Sequence, residues 1–321
     1  MTALLRIEDL KVHFPVRTGR FGGQKSVVRA VDGISLEIGV HETLALVGES
    51  GCGKSTTGNA VLGLAPVTEG RVIFEGRDLA TLAPGEAKGI WRDMQVVFQD
   101  PVSALNPRRS IAQSIAEPLV IHNHPRGQIR ARVDELMDLV GLNPDQRDRR
   151  PGALSGGQRQ RVVIARALAL NPKLVICDEP VSALDVSIQS QILNLLLRLQ
   201  EELSLSYLFI SHDLSVVRHI ADRIAVMYLG TVVEEAPATE LFANPVHPYT
   251  EGLLSAIPLP DPVGREGRKR ILLEGDLPSP LSPPSGCPFR TRCPIAEPRC
   301  ADARPPLDIR TGSHRVACFL R

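Results

Sequence analysis

Eight consecutive residues between an apolar run and a helical pattern have the types and spacing to bind phosphate. They follow the pattern G-x-x-x-x-G-K-[ST] and are Gly48, Glu49, Ser50, Gly51, Cys52, Gly53, Lys54 and Ser55. Glycines let successive backbone N–H groups point at phosphate oxygens, and a helix start adds the positive end of its dipole. Lys54 could neutralise β- and γ-phosphates, and the Ser55 hydroxyl could ligate Mg²⁺. This phosphate loop predicts nucleotide binding but does not choose between a kinase, a GTPase, a motor and a transporter.

Two adjacent carboxylates follow another apolar run, residues 174–177. Asp178 and Glu179 come at the carboxyl end of this predicted strand, where ligands bind in open α/β sheets. Asp178 could hold Mg²⁺ directly or through water, and Glu179 could polarise an attacking water. Acidic residues at a strand end can be purely structural, but a phosphate loop in the same chain favours the catalytic interpretation.

A serine followed by two glycines opens a predicted helix that runs to about residue 170. The backbone N–H groups of Ser155, Gly156, Gly157 and Gln158 could bind a second anion. Ser155 could equally be an ordinary helix N-cap. Because the chain already has one phosphate loop, we expect a head-to-tail dimer in which this segment closes over a γ-phosphate held by the other subunit.

These candidate residues lie within an alternation of predicted strands and helices. Predicted strands cover residues 4–14, 27–38, 44–47, 70–74, 95–98, 173–177, 206–210, 224–229 and 231–235. Predicted helices cover residues 54–64, 154–170 and 187–203, residues 110–170 are mostly helical in pattern, and residues 15–26 predict an exposed loop. The alternation indicates an α/β fold with a largely parallel central sheet.

Length and charge restrict the classes of function. The 321 residues are enough for about two domains, and the net charge of +1 gives no electrostatic attraction for nucleic acid or lipid. No apolar stretch approaches the ~20 residues of a membrane span, and the first residues lack a signal-peptide pattern. We therefore expect a cytoplasmic protein without a nucleic-acid partner, which reaches a membrane only through other proteins.

The composition changes after about residue 243. More than half of the 26 prolines lie in residues 244–321, here called the C-terminal extension, which is too proline-rich for a regular core. We expect it to wrap the main domain or to fold around its cysteines. A metal cluster bound to those cysteines would lie outside the nucleotide motifs, so losing the cluster should harm assembly or stability before nucleotide binding.

Four of the six cysteines lie in the C-terminal extension, at Cys287, Cys293, Cys300 and Cys318. In a cytosolic chain such a cluster indicates metal rather than disulfides. The spacing is not that of a zinc ribbon, so four thiolates could hold zinc or a 4Fe–4S cluster, and four unligated cysteines remain an alternative. Cys52 and Cys177 are interpreted as small apolar residues.

In order and spacing, the motifs resemble those of ABC transporter ATP-binding subunits over residues 1 to about 240. The matches are residues 48–55 with Walker A, Gln99 with the Q-loop, residues 154–158 with the signature, residues 174–179 with Walker B, residues 182–185 with the D-loop, and His212 with the switch histidine. The resemblance implies ATP and Mg²⁺ as cofactors. It also implies a P-loop NTPase core with an N-terminal antiparallel β subdomain, a helical subdomain at about residues 100–170, and an extension that follows a nucleotide-binding domain of residues 1–243.

Roles for individual residues follow from the same resemblance. Gln99 would sense Mg²⁺ and the attacking water and relay to membrane subunits, His212 would contact the γ-phosphate, and Asp185 would couple the two sites of a dimer. Phe14 falls where the family has an aromatic residue that stacks on adenine, and Thr56 would complete the nucleotide-binding loop.

Other segments resemble the dipeptide and oligopeptide importer ATPases, a group that includes nickel and glutathione importers. They are residues 99–101, 103–107, 184–189 and 244–250. Residues 115–119 and 158–161 resemble the second ATPase of that group's usual unlike pair, and the tail of the group resembles an iron–sulfur binding segment, which favours the cluster over zinc.

The resemblance implies a peripheral protein at the cytoplasmic face of the cell membrane. Its partners would be a second ATPase subunit (an unlike chain or a second copy), two transmembrane permease subunits and, indirectly, an extracytoplasmic solute-binding protein. The alternatives are a soluble ABC ATPase of translation or DNA repair, which commonly has two cassettes or long coiled-coil insertions, and a regulatory protein that binds ATP without turnover. The transported solute is not predicted, because its specificity resides in the partners.

Overall fold

The computed structural model describes residues 3–18, 24–257 and 271–321. The strands are β1 Leu5–Thr18, β2 Gln24–Ile38, β3 Thr43–Val47, β4 Glu69–Phe74, β5 Arg77–Asp78, β6 Met94–Val97, β7 Leu174–Asp178, β8 Ser206–Ser211, β9 Arg223–Tyr228, β10 Thr231–Pro237, β11 Asp308–Thr311 and β12 His314–Val316. The α-helices are α1 Lys54–Val61, α2 Pro84–Asp93, α3 Pro101–Ala104, α4 Ile111–Ile121, α5 Arg126–Leu139, α6 Gly156–Leu168, α7 Val186–Leu203, α8 Leu214–Val217, α9 Ala238–Ala243, α10 Pro248–Ser255 and α11 Arg299–Asp302. Short 3₁₀ helices cover Leu79–Thr81, Pro144–Gln146 and Pro151–Ala153.

The chain divides into two compact units. The carboxylate unit consists mainly of Thr81–Ile210 and contains the predicted residues Asp178 and Glu179. The phosphate-loop unit consists of Leu5–Glu37, Thr43–Ala80 and Ser211–Arg321.

Three parallel strands form the centre of the carboxylate unit, in the order β6, β7, β8. Cys177 of β7 pairs with Val97 of β6 and with Phe209 of β8. Every residue of β8 and the first four residues of β7 are buried, as continuous apolar runs in a covered parallel sheet require. The expected parallel strands are thus confirmed, and Asp178 and Glu179 follow at a carboxyl end.

The helical segment between β6 and β7 also agrees with the sequence pattern. Ser110 and Gln113 form a capping box that starts α4, and Ile111, Ile115 and Leu119 bury one face of that helix. Helices α5 and α6 follow. Helix α2 was not predicted, because its proline and two glycines obscure the helical pattern.

The phosphate-loop unit contains a mixed sheet in the order β11, β12, β10, β9, β3. Strand β3 is completely buried and runs parallel to β9, with Val47 opposite Val226, whereas the other neighbours are antiparallel. The sheet delivers the phosphate loop directly from the carboxyl end of β3 into α1. A second, antiparallel sheet, in the order β2, β1, β4, β5, provides the predicted β subdomain.

The predicted exposed loop at residues 15–26 is wrong at both ends. Strand β1 continues through Pro15 to Thr18, and β2 already begins at Gln24. Strand β4 pairs with β1 only from Leu5 to Lys11. Beyond Lys11 one side of β1 therefore needs no ladder hydrogen bond, and a proline without an N–H is tolerated there. Residues 19–23 lie outside the described ranges.

The C-terminal extension contains more regular structure than its prolines predict. Strand β12 joins β10, with Glu234 opposite Val316, and β11 pairs with β12. The fully buried Glu234 carboxylate accepts hydrogen bonds from the backbone N–H groups of Val246 (2.8 Å) and His247 (3.0 Å), and it lies 2.7 Å from Nε2 of His314. Buried polar partners of this kind, which sequence patterns do not reveal, hold the extension in place.

Within the three described ranges, no helix combines the length and apolar character needed to cross a bilayer.

Candidate nucleotide site

Two glycines of the phosphate loop are required by close backbone approach. A Cβ on Gly48 would lie 2.2 Å from the carbonyl oxygen of Met227, and one on Gly53 would lie 2.1 Å from that of Ala30. Gly53 also has a φ of 107°, and it is the N-cap residue of α1. Because glycine has no side chain, no capping group covers the first N–H groups of the helix. The loop can therefore adopt the tight turn that presents backbone N–H groups to an anion.

Lys54 lies inside the loop. Its side chain is buried, and Nζ donates hydrogen bonds to the carbonyl oxygens of Gly48 (2.8 Å) and Glu49 (3.0 Å). The Cys52 thiol lies 3.8 Å from Nζ, but burial, which is the larger influence, raises its pKa. Burial also raises the pKa of Cys177, so both isolated cysteines have the character of structural apolar residues.

In the carboxylate unit, the structure brings Gln99 and Glu179 together. Gln99 Nε2 donates a hydrogen bond of 2.8 Å to Glu179 Oε2. Glu179 has a left-handed φ of 46°, which is uncommon for a residue with a side chain, and its N–H donates to the carbonyl of Ile210 at 3.0 Å. Backbone outliers concentrate at functional sites, so the conformation favours a functional role for this carboxylate. Asp178, the preceding residue, is partly buried at the end of β7.

The signature segment starts α6 with a capping box. Ser155 Oγ accepts from the Gln158 N–H at 3.3 Å, and Gln158 Oε1 accepts from the Ser155 N–H at 2.9 Å. The N-cap interpretation of Ser155 is therefore correct as local structure, and it leaves the anion-binding hypothesis open because Ser155 and Gly156 are exposed. A Cβ on Gly157 would lie 2.6 Å from Cγ2 of Ile188, whereas one on Gly156 would meet Leu184 at 3.3 Å.

The remaining candidates are distributed over both units. Asp185 is exposed at the start of α7, and His212 is exposed beside Asp213, which caps α8. Phe14 is half-buried on β1. Ser50, Ser55 and Thr56 lie in the loop or in the first turn of α1 and retain some exposure.

Two residues of the C-terminal extension contact the phosphate loop, and sequence reasoning missed both. Arg292 forms a bidentate pair with the Glu49 carboxylate, at 2.8 and 3.1 Å, and Tyr249 Oη accepts from the Glu49 N–H at 2.9 Å. The extension lies outside the nucleotide motifs in the sequence, yet these two side chains contact the phosphate loop directly. Residues 244–250 resemble a segment of the oligopeptide importer ATPases, but this resemblance does not predict the Tyr249 contact, and nothing in the sequence indicates the Arg292 contact.

The four cysteines of the extension line one cavity, here called the cysteine cavity, together with His247 and Phe289. Burial raises the pKa of Cys287 to about 11 and raises that of Cys293 as well. In the portion of the chain that the structure describes, no set of three or more His, Cys, Asp or Glu side chains is arranged to hold a metal ion. The predicted metal centre is therefore not supported by this arrangement, although its four thiols do lie around one space.

A phosphate loop at a helix start and a glutamine-bound glutamate after a buried strand are features of P-loop nucleotide hydrolases. Comparison with known proteins narrows this class. The model of the "ABC transporter" family matches residues 31–182, and that of the "Oligopeptide/dipeptide transporter, C-terminal region" matches residues 233–300.

Relatives of similar length match almost the whole chain. This chain is 53% identical over 323 residues to the oligopeptide transport ATP-binding protein OppF of Escherichia coli, and the match covers 98% of this chain and 96% of that protein. It is 50% identical over 319 residues to the oligopeptide transport ATP-binding protein AppF of Bacillus subtilis, with coverages of 99% and 97%. Among solved structures, the dimeric ATP-binding cassette MJ0796 bound to ADP and Pi matches with a TM-score of 0.63 and 30% identity, over 73% of this chain and 98% of that one. The chain therefore belongs to the family of ABC transporter ATP-binding proteins with an oligopeptide/dipeptide-type C-terminal region.

Proposed function

We propose that this chain is the ATP-hydrolysing subunit that powers import of oligopeptides or dipeptides through separate membrane proteins. The observation that carries hydrolysis is the 2.8 Å hydrogen bond from Gln99 to the strained Glu179, because it orients a carboxylate suited to act as a base. Peptide import is supported by relatives such as the oligopeptide transport ATP-binding proteins OppF and AppF, which match nearly the full chain.

Each motif has a distinct role in this proposal. Lys54 and the loop N–H groups bind the β- and γ-phosphates, and Phe14 stacks on the adenine. Glu179 accepts a proton from the attacking water, which Gln99 orients, and His212 contacts the γ-phosphate. Ser55, Asp178 and Gln99 carry the oxygen ligands that suit Mg²⁺, which neutralises developing phosphate charge when bound.

A second ATPase subunit completes each site in the proposed assembly. The backbone N–H groups at the start of α6 would bind the γ-phosphate held by the partner, and Asp185 would couple the two sites. The dimeric structure of the related cassette MJ0796 supports the formation of a dimer. The partner is an unlike ATPase chain or a second copy of this one.

We further propose that the subunit is peripheral, held at the cytoplasmic face of the membrane by two transmembrane permease subunits. A solute-binding protein on the other side would deliver the peptide. Gln99 would relay the state of the nucleotide to the permeases, so that ATP-driven closure of the dimer is coupled to transport.

For the cysteine cavity we propose an iron–sulfur cluster, with zinc as the alternative metal. The support is chemical: four thiols, the donor set that both metals accept, line the same cavity. Cys287, Cys293, Cys300 and Cys318 would be the ligands. A bound metal would add folding free energy to a proline-rich segment, so its role would be structural.

Co-purification and transport test the main proposal. Full-length chain isolated from detergent-solubilised membranes should carry two transmembrane subunits, and the reconstituted complex should take up a labelled peptide only with MgATP. A soluble ABC ATPase would hydrolyse ATP but bring down no membrane subunits. A regulatory binder would retain ATP without turnover.

A further inference from the structure

The contact between the phosphate loop and the C-terminal extension centres on Glu49. The two terminal guanidinium nitrogens of Arg292 donate to the Glu49 carboxylate, Nη1 to Oε2 at 2.8 Å and Nη2 to Oε1 at 3.1 Å. The Arg292 side chain is only 8% exposed and that of Glu49 only 29% exposed. A bidentate pair shielded to this degree is held more firmly than a surface ion pair, and the Glu49 carboxylate raises the pKa of Arg292.

The backbone of Glu49 is fixed at two further points. Its N–H donates to Tyr249 Oη at 2.9 Å, and its carbonyl oxygen accepts from Lys54 Nζ at 3.0 Å. The extension thus binds the side chain and the backbone N–H of Glu49, and Lys54 binds the carbonyl oxygen of the same residue. Any shift of Tyr249 or Arg292 is transmitted directly to the turn that begins the phosphate loop.

Buried aromatic rings fix the two extension residues in turn. The ring of Phe289 packs edge-on against Tyr228 at 5.2 Å and lies 5.4 Å from Tyr249, and Tyr228 and Tyr249 are 4.8 Å apart. All three rings are fully buried. The Arg292 guanidinium lies 5.9 Å from the centre of the Tyr228 ring. Phe289 also lines the cysteine cavity, so one packed cluster connects this cavity to Glu49.

A carboxylate in a loop that receives a triphosphate has an electrostatic cost. Without a counter-charge, Glu49 would repel the incoming phosphates. Arg292 supplies the positive charge from a segment more than two hundred residues later in the chain, and Tyr249 accepts the hydrogen bond from the Glu49 N–H.

We propose that Arg292 is a positioning residue for ATP, which acts through Glu49 to set the affinity of its own subunit for MgATP. Tyr249 assists by fixing the Glu49 backbone. The C-terminal extension therefore tunes nucleotide binding in cis. The inference rests on the proposed role of the phosphate loop in binding ATP.

The test measures KM for MgATP, kcat and melting temperature on the full-length chain in complex with its ATPase partner. Replacing Arg292 by Gln should raise KM by about 5- to 20-fold, because it leaves the Glu49 carboxylate uncompensated. The kcat at saturating MgATP should change by less than about twofold, since Glu179 and Gln99 are not touched. Arg290→Gln is the matched control, because Arg290 donates to the Ser285 carbonyl in the same segment, and it should leave KM unchanged.

A second substitution tests whether the charge of Glu49 causes the loss of affinity. Glu49→Gln in the Arg292→Gln background should restore most of the lost affinity, since it removes the charge that Arg292 neutralised. Arg292→Lys should be intermediate, because it keeps the charge and loses the bidentate geometry. Tyr249→Phe should raise KM by a few-fold while retaining the aromatic packing, and it serves as the test if the Arg292 variants do not fold.

Two results would overturn the inference. One is a lower melting temperature for Arg292→Gln with KM unchanged, which would make the pair a structural contact only. The other is a double variant no better than Arg292→Gln alone. Lys54→Ala separates this failure from that of the proposed function: if it binds MgATP as the wild type does, the phosphate loop is not the ATP site at all.

Discussion

Replacement of Glu179 by Gln tests the catalytic assignment most directly. The amide has nearly the shape of the carboxylate, and its oxygen can still accept the hydrogen bond that Gln99 Nε2 makes at 2.8 Å. The hydrogen bond from the Glu179 N–H to Ile210 involves only the backbone and should persist. The substitution therefore removes the negative charge and the proton acceptor while leaving the local structure in place.

The expected loss in kcat follows from the role of a positioned base. Removing such a group costs about 100- to 10,000-fold in rate, or about 3–5 kcal/mol of transition-state stabilisation. ATP affinity should be retained, because Lys54 and the loop N–H groups are unchanged. The variant should then accumulate as an ATP-bound closed dimer.

Single-turnover hydrolysis of radiolabelled ATP measures the chemical step, and size-exclusion chromatography with MgATP measures dimer formation. Glu201→Gln is the matched control, since Glu201 is an exposed glutamate of α7, and it should behave as the wild type. Turnover of Glu179→Gln within about tenfold of the wild type would refute the assignment, because a general base contributes more than that.

Three further changes probe the dimer, the packing and the cysteines. In a mixed dimer, Lys54→Ala in one subunit and Ser155→Asp in the other should damage the same shared site, whereas both changes in one subunit should damage both sites and leave less ATPase activity. The Asp at residue 155 still caps α6 but repels the partner's phosphate. Equal activities of the two arrangements would exclude the shared site. Gly157→Ala should destabilise by about 1–3 kcal/mol in urea unfolding, whereas Gly156→Ala should be nearly neutral, and equal costs would contradict the close-packing argument. Anaerobically purified protein should contain iron and acid-labile sulfide, and Cys293→Ser should lose both; stoichiometric zinc without sulfide would instead identify the alternative metal.

The nucleotide motifs could be predicted from sequence because each is local. Residues 48–55 carry their own chemistry, and the apolar runs on either side predict the strand and helix that position them. The buried strands β3, β7 and β8 are largely apolar segments, so their existence follows from sequence, and the alternation of strands with helices predicts their parallel pairing. The left-handed backbone of Glu179 could not be predicted in this way, since it depends on the hydrogen bond to Ile210.

The parts that sequence reasoning missed depend on distant partners. Proline-rich composition predicts little regular structure after residue 243, yet β12 pairs with β10, and the buried Glu234 bonds to two backbone N–H groups of the extension. Pro15 predicts the end of β1, but the strand continues where the missing donor is not needed. Local propensity is a weak guide in both places, because pairing decides the outcome.

Contacts of the C-terminal extension with the phosphate loop support a second prediction about what fails first when the cysteines are disturbed. From sequence, loss of a metal cluster outside the nucleotide motifs should affect assembly or stability before nucleotide binding. Arg292 directly precedes Cys293 in the sequence and pairs with Glu49 in the structure, and Phe289 packs against both Tyr228 and Tyr249. The cysteine cavity and the phosphate loop are therefore connected by few contacts: Phe289 lines the cavity and packs on Tyr249, and Tyr249 and Arg292 bind Glu49. Nucleotide affinity should respond to the state of the cysteines at least as early as assembly does.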